Sequence, residues 1–206
     1  MEVHQVFSMY SGERQPGAGF RYCPRCATEL ARATEAERAA CRRCGYVDYR
    51  NPLPGVVVLV ADGPRVLLGK RSDRSFQGGK WALPGGFIEY EEDFLSAALR
   101  ESREETNLEV RIVSILSVVS NFLAPGLHTL VVVLLAEACG GEAHAGDDFV
   151  ELAWYEHPGP LPPMAFPADT HIIERYFRDR SGGPLPGAPV DQRFSSSDPS
   201  GLGFLR

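Results

Sequence analysis

Three glutamates crowd one short stretch of the chain, "LPGGFIEYEEDFLSAALRESREETNL", residues 83–108: Glu101, Glu104 and Glu105. Two glycines lead into an apolar pattern with helical spacing, and at about 100° per residue the three carboxylates share one face of that helix. Leu95, Ala98, Leu99 and Ser102 mark the neighbouring face as the one that packs on a sheet. Arg103 points away from the cluster, and Arg100, one turn before Glu104, is expected to reach only its edge. Like charges at this spacing cost a few tenths of a kcal/mol, and the last turn of a helix disfavours anions. One reading is a solvated acidic face. The placement favours another, in which the carboxylates hold a cation. A hard divalent ion such as Mg²⁺ takes carboxylate oxygens and keeps positions for water and phosphate.

A second constellation lies upstream. "CPRC" (Cys23, Cys26) and "CRRC" (Cys41, Cys44) are separated by fourteen residues. Each CxxC turn delivers two sulfurs to one centre, and tetrahedral Zn²⁺ accepts four thiolates at about 2.3 Å. A segment of this length buries too little core to fold alone, so a structural Zn²⁺ would supply its folding energy. The alternatives are separate buried thiols or disulfides, and disulfides suit a cytoplasmic chain poorly. With four protein ligands, such a zinc has no open position for chemistry. Cys139, alone at a strand end, is expected to be an ordinary buried thiol.

The elements that must position these groups follow from the rest of the chain. At 206 residues, 44% hydrophobic and 23% charged, it has room for one main globular domain and something small. A net charge of −6 argues against a polyanion partner. Between residues 21 and 50, seven Arg face four acidic residues, too small an excess to make that segment a nucleic-acid reader. No apolar run reaches the roughly 20 residues of a membrane helix. The N-terminal "MEVHQVFSMYSGERQPG" lacks signal-peptide features, so a cytoplasmic location is expected. Residues 1–20 read as a flexible arm, 21–50 as a zinc ribbon and 51–180 as the main domain. Residues 181–206, rich in Gly, Pro and Ser, read as a disordered tail. In the main domain "GVVVLVA" and "RVLLGKR" are strands about the turn "DGP". "EVRIVSILSVVSNFL" and "HTLVVVLLAEA" are strands joined at "APG", "FVELAWYE" is a shorter one, and "ADTHIIERYFRDR" is a final helix.

Residues 86–108 resemble the Nudix box, G-x5-E-x7-R-E-U-x-E-E-x-G-U, where U is a bulky apolar residue. Gly86, Glu92, Arg100, Glu101, Glu104, Glu105 and Leu108 stand at matching positions. Ser102 replaces an apolar residue and Asn107 the last glycine; Asn tolerates the left-handed conformation that ends a helix. The resemblance spans about residues 51–180. It implies a Nudix fold, an α/β/α sandwich with a mixed sheet, here preceded by the small zinc ribbon. It implies that Glu101, Glu104 and Glu105 are catalytic ligands of Mg²⁺ or Mn²⁺, with the Gly85 carbonyl in addition. Gly86, Glu92 and Arg100 then form the structural part of the box. In "DDFVELAWYE" it implies a further acidic ligand or base, Asp148 by position and Glu151 next, set against an exposed acidic loop. Trp81 reads either as core or as a platform for a base, and Arg71 and Arg74 as phosphate contacts or plain surface arginines. His128 and His171 carry no catalytic expectation.

Nudix hydrolases with an N-terminal ribbon include NADH, ADP-ribose and FAD pyrophosphatases. The NADH enzymes carry SQPWPFPxS after the box, where this chain has "SNFLAPGLH". The expected reaction is therefore Mg²⁺-dependent hydrolysis of ADP-ribose to AMP and ribose 5-phosphate. NADH, NAD or FAD come next, then an oxidised-nucleotide sanitising hydrolase, then a non-catalytic nucleotide sensor, which the three retained glutamates disfavour. The implied partners are a small-molecule nucleotide and a second copy of the chain in a homodimer, with neither nucleic acid nor membrane.

Overall fold

The structure, a computed structural model, describes residues 5–10, 19–30, 38–180 and 188–189. In chain order its elements are β1 (Val6–Ser8), β2 (Leu53–Asp62), β3 (Arg65–Arg71), β4 (Trp81–Ala82) and α1 (Phe94–Thr106). There follow β5 (Leu108–Ala124), β6 (Leu127–Gly141), β7 (Phe149–Glu156), α2 (Pro167–Arg180) and β8 (Ala188–Pro189). The sheet runs β1-β5-β6-β2-β3-β4, with β7 on β3 and β8 on β5. The β2–β6 and β1–β5 pairs are parallel and the others antiparallel, so the sheet is mixed.

The near-continuous apolar run of β2 is explained by burial on both faces. Side chains alternate across a strand. Val56, Val58 and Val60 accordingly join Leu95, Ala97 and Ala98 of α1 in one core. Leu59 faces the other way and packs with Ile172, Ile173 and Tyr176 of α2 in a second core. The α/β/α layering expected from the sequence is thus present.

Helix α1 starts where Asp93 accepts hydrogen bonds from the Leu95 and Ser96 amides, at 2.8 and 3.0 Å. It ends at Asn107, whose φ of 57° is left-handed and whose N–H returns to the Arg103 carbonyl. Ser102, at the apolar position of the box, is buried and donates to the Ala98 carbonyl at 2.7 Å, so its hydroxyl is satisfied inside the helix.

Three expectations are corrected. Within the supposed arm, Val6–Ser8 form a strand, because β5 offers an open edge of unpaired backbone groups and Ser120 N–H bonds Gln5 O at 2.9 Å. Within the supposed tail, Ala188 and Pro189 pair with Ile115 and Ser114 of the same strand. Residues 1–4 and 11–18 of the first segment, 181–187 and 190–206 of the last, and 31–37 of the ribbon lie outside the described residues. Cys139 is exposed rather than buried, because it falls near the end of β6 beyond the helix-covered part of the sheet.

Candidate active site

The segment between β4 and α1 is laced onto the centre of the sheet. Val58 N–H donates to Pro84 O at 2.8 Å and Val56 N–H to Gly86 O at 2.9 Å. Gly85 has φ +152°, and a Cβ there would lie 2.2 Å from the Val56 carbonyl oxygen. Only glycine fits. The freed Gly85 N–H donates to Glu105 Oε2 at 2.8 Å. At Gly86 a Cβ would meet Glu101 Oε1 at 2.4 Å, so the bare Cα is what lets that carboxylate approach the loop.

Two of the three glutamates are buried, Glu105 to 2% exposure. Burial pushes the Glu105 carboxyl well above the usual carboxylate range, and nearby Glu101 pushes the same way against Gly85 N–H and Arg71. Burial also raises Glu101, with Arg100 opposing. Glu104 is half exposed. Arg100 does more than its helical position suggests. It grips Glu92 through two nitrogens at 2.6 and 2.9 Å and donates to Phe87 O at 3.1 Å. Its Nη1 also reaches Glu101 at 2.8 Å and Glu104 at 3.0 Å. The expectation that Arg100 touches only the edge of the cluster is therefore corrected. The guanidinium holds Glu92 below its ordinary value.

Glu101 and Glu105 open onto a cavity of about 470 Å³. Asp147, Asp148 and Arg71 line it beside Glu101 and Glu105. Asp148 binds Arg71 Nη2 at 2.9 Å and accepts from Ser75 Oγ at 3.1 Å. Arg71 also donates to Phe76 O at 2.8 Å and lies over the Phe166 ring, which stacks with Phe76. The other expected groups lie elsewhere. Trp81 is core, edge-on to Tyr155. Glu151 faces outward and pairs with Lys70 at 3.5 Å. Arg74 is exposed. His128 stacks on Phe122, and His171 lies beside Phe7.

In the ribbon each CxxC closes a tight knuckle, with Ala27 N–H on Cys23 O and Gly45 N–H on Cys41 O. Ala27 (φ 55°) and Gly45 (φ 73°) both take the left-handed turn. The sulfurs of Cys23, Cys26, Cys41 and Cys44 all lie within 4.8 Å of one another. That convergence fits a tetrahedral thiolate site.

Residues 51–176 match the NUDIX domain. The chain belongs to the Nudix family. The ADP-ribose pyrophosphatase of Methanocaldococcus jannaschii is 36% identical over 138 residues, 66% of this chain and 80% of that protein. The NAD-capped RNA hydrolase NudC of Pseudomonas aeruginosa is 32% identical over 173 residues, 82% of this chain. Those residues make up 60% of NudC, so this chain spans less than two thirds of that relative. A crystal structure of a NUDIX hydrolase from Nitrosomonas europaea superposes with a TM-score of 0.70 at 27% identity. It covers 82% of this chain and 97% of the other.

Several cavity residues of this Nudix chain carry no signal in the box: Asp147, Phe76, Phe166, Asn121, Thr129 and Asp169. Asp169 follows the prolines that open α2, a hint of a first-turn carboxylate, but its partner, the Leu83 N–H at 3.1 Å, is 86 residues away. Burial pushes the Asp169 carboxyl up to about 7, against the Leu83 amide and the Arg71 charge. From about pH 4, where the unfolded chain releases this proton, to about 7 the folded state keeps it. Stability from this group is thus lost as pH rises, by about 1.4 kcal/mol per pH unit at most. Asp169→Asn removes the titration. The stability advantage of the variant over the parent, from urea unfolding, should grow between those pH values and then level off. An advantage that stays flat with pH would show that this carboxyl ionises freely.

Proposed function

We propose that this Nudix hydrolase cleaves the pyrophosphate bond of a nucleoside diphosphate derivative, with ADP-ribose, split to AMP and ribose 5-phosphate, as the first choice. The observation that carries this reading is the pair of buried carboxyls, Glu101 and Glu105, at the wall of a cavity of ligand size. Ionised together they need a cation, and an all-oxygen donor set suits Mg²⁺ or Mn²⁺. Glu101, Glu104 and Glu105 would hold it, with the Gly85 carbonyl and Asp148 in reach of the same role. When bound, such an ion neutralises diphosphate charge and lowers the pKa of a coordinated water.

The chain's own groups do the rest. Gly85 N–H fixes the Glu105 carboxylate, and Arg100 orients Glu101 and Glu104. Arg71, held by Asp148 and Phe76 O, offers positive charge to a phosphate in the cavity. The exposed Phe76 ring, stacked on Phe166, adds an apolar surface for the organic part. Zinc in the ribbon is a structural clip in this reading, the compartment is the reducing cytoplasm, and the assembly is a homodimer.

ADP-ribose ranks first because "SNFLAPGLH" lacks the tryptophan and the Phe–Pro pair of the NADH motif, and the M. jannaschii relative supports the ranking. The likeness to NudC over 173 residues favours a second reading, an NAD-type dinucleotide, free or at an RNA end. That reading sets aside the charge argument against nucleic acid. A panel of ADP-ribose, NADH, FAD and NAD-capped RNA with Mg²⁺ or Mn²⁺ separates them, and ¹⁸O-labelled water should place the label on a phosphate product. If NADH beats ADP-ribose by about tenfold in kcat/KM, about 1.4 kcal/mol, the ranking inverts. Absence of turnover on the whole panel would favour a nucleotide sensor.

A further inference from the structure

The cavity continues past the carboxylates to the β5–β6 hairpin, where its wall is apolar: Leu53, Leu123 and Leu127. Two polar residues interrupt that wall. Thr129 is 3% exposed, and its Oγ1 has no hydrogen-bond partner among the described residues. Asn121 stands opposite it in the β5–β6 register and is also buried. Directly opposed residues of antiparallel strands share a face of the sheet, so the two side chains lie side by side at the cavity wall.

Buried hydroxyls almost always find a partner, and one left without it costs the desolvation of the group. Valine has nearly the same shape and an equal liking for strands, so packing alone gives no reason for a hydroxyl at this position. A ligand group that completes the hydrogen bond does. We propose that Thr129 and Asn121 read the hydrogen-bonding edge of the base of the bound substrate. The inference rests on the pyrophosphatase reading, with the diphosphate at the carboxylates and the base in the apolar end. An Asn amide offers a donor beside an acceptor, which is the complement of a planar ring bearing an amino group next to an acceptor. Adenine has that edge, and so has the carboxamide of nicotinamide.

The test is calorimetric binding, with Mg²⁺, of two ligand pairs to the whole protein. AMP against IMP replaces the adenine amino group by an oxygen. Nicotinamide mononucleotide against nicotinic acid mononucleotide replaces the carboxamide by a carboxylate. The parent should favour the amide-edged member of one pair by about tenfold, as a lost bidentate contact does; which pair responds identifies the base. Thr129→Val should shrink that ratio severalfold and, by removing the unpartnered hydroxyl, raise the melting temperature by about 2–4 °C. Asn121→Ala, a variant that acts from the other strand, should erase the same ratio. Undiminished discrimination in both variants, or none in the parent for either pair, overturns the proposal. If the ratios behave as stated while no dinucleotide is hydrolysed, the reader stands and the pyrophosphatase reading falls.

Discussion

Glu105→Gln should lower turnover of the preferred substrate by about a hundredfold at saturating Mg²⁺, with the chain still folded. Glutamine keeps the length and helix preference of glutamate, and its amide oxygen can still accept from the Gly85 N–H that Glu105 now engages at 2.8 Å. The loop therefore stays where it is, and the loss falls on the charge. Glu105 is buried to 2% exposure, with its carboxyl pushed well above the ordinary range. Without a cation its ionised form opposes folding, so the neutral variant should equal or exceed the parent in metal-free stability at neutral pH. The effects thus move in opposite directions, with activity down and metal-free stability level or up. Loss of a metal ligand's charge costs metal affinity and transition-state charge stabilisation together. Steady-state kinetics across a Mg²⁺ titration, with chemical unfolding alongside, gives both numbers. Parent-like turnover would remove Glu105 from the metal set.

The ribbon carries the second large effect. The purified chain should hold one zinc that survives dialysis, and Cys41→Ser should release it and unfold the ribbon. Four sulfurs within 4.8 Å are backed, among the described residues, by a small cluster of Cys23, Leu30, Ala39 and Cys41, with Cys26 and Tyr46 at its rim. That is far too little buried area for independent folding. Structural zinc supplies about 10–16 kcal/mol in comparable peptides. Elemental analysis reads the metal, and limited proteolysis within residues 21–50 reads the fold. Turnover should fall by less than in Glu105→Gln, because the ribbon thiols hold no position in the cavity. A zinc-free protein with an intact ribbon would leave the cluster without its reason.

The two motifs were legible because each is local. The glutamates share one helix, and each cysteine pair shares one turn, so spacing along the chain is spacing in the molecule. Asn107 as helix stop was legible for the same reason. Arg100 was misjudged because helical angle gives the direction of a Cα–Cβ bond, whereas a guanidinium at the end of a long stem reaches Glu92, Glu101 and Glu104 together. The remaining cavity wall depends on pairings between distant strands. Arg71 meets Asp148, and Asn121 meets Thr129, only once β3 has found β7 and β5 has found β6 in register. Trp81 and Glu151 show the complement: each reads two ways along the chain, and the sheet decides between them by turning one into the core and the other toward Lys70. The strand Val6–Ser8 is too short to carry a pattern, and it forms because of what β5 lacks.

The lacing of residues 84–86 onto β2 also decides how the site can move. Val56 and Val58 spend their amide protons on Gly86 and Pro84, and both side chains sit in the core under α1. Loosening that loop therefore means uncovering the middle strand of the sheet, an event of nearly global cost. Amide exchange at these two valines should report the stability of the whole domain. The opposite rim, residues 72–80 with Phe76 exposed, is tied instead through Arg71 and Asp148, by Arg71 to Phe76 O and by Ser75 to the Asp148 carboxylate. Amide exchange along residues 72–80 should therefore run ahead of that at the two valines.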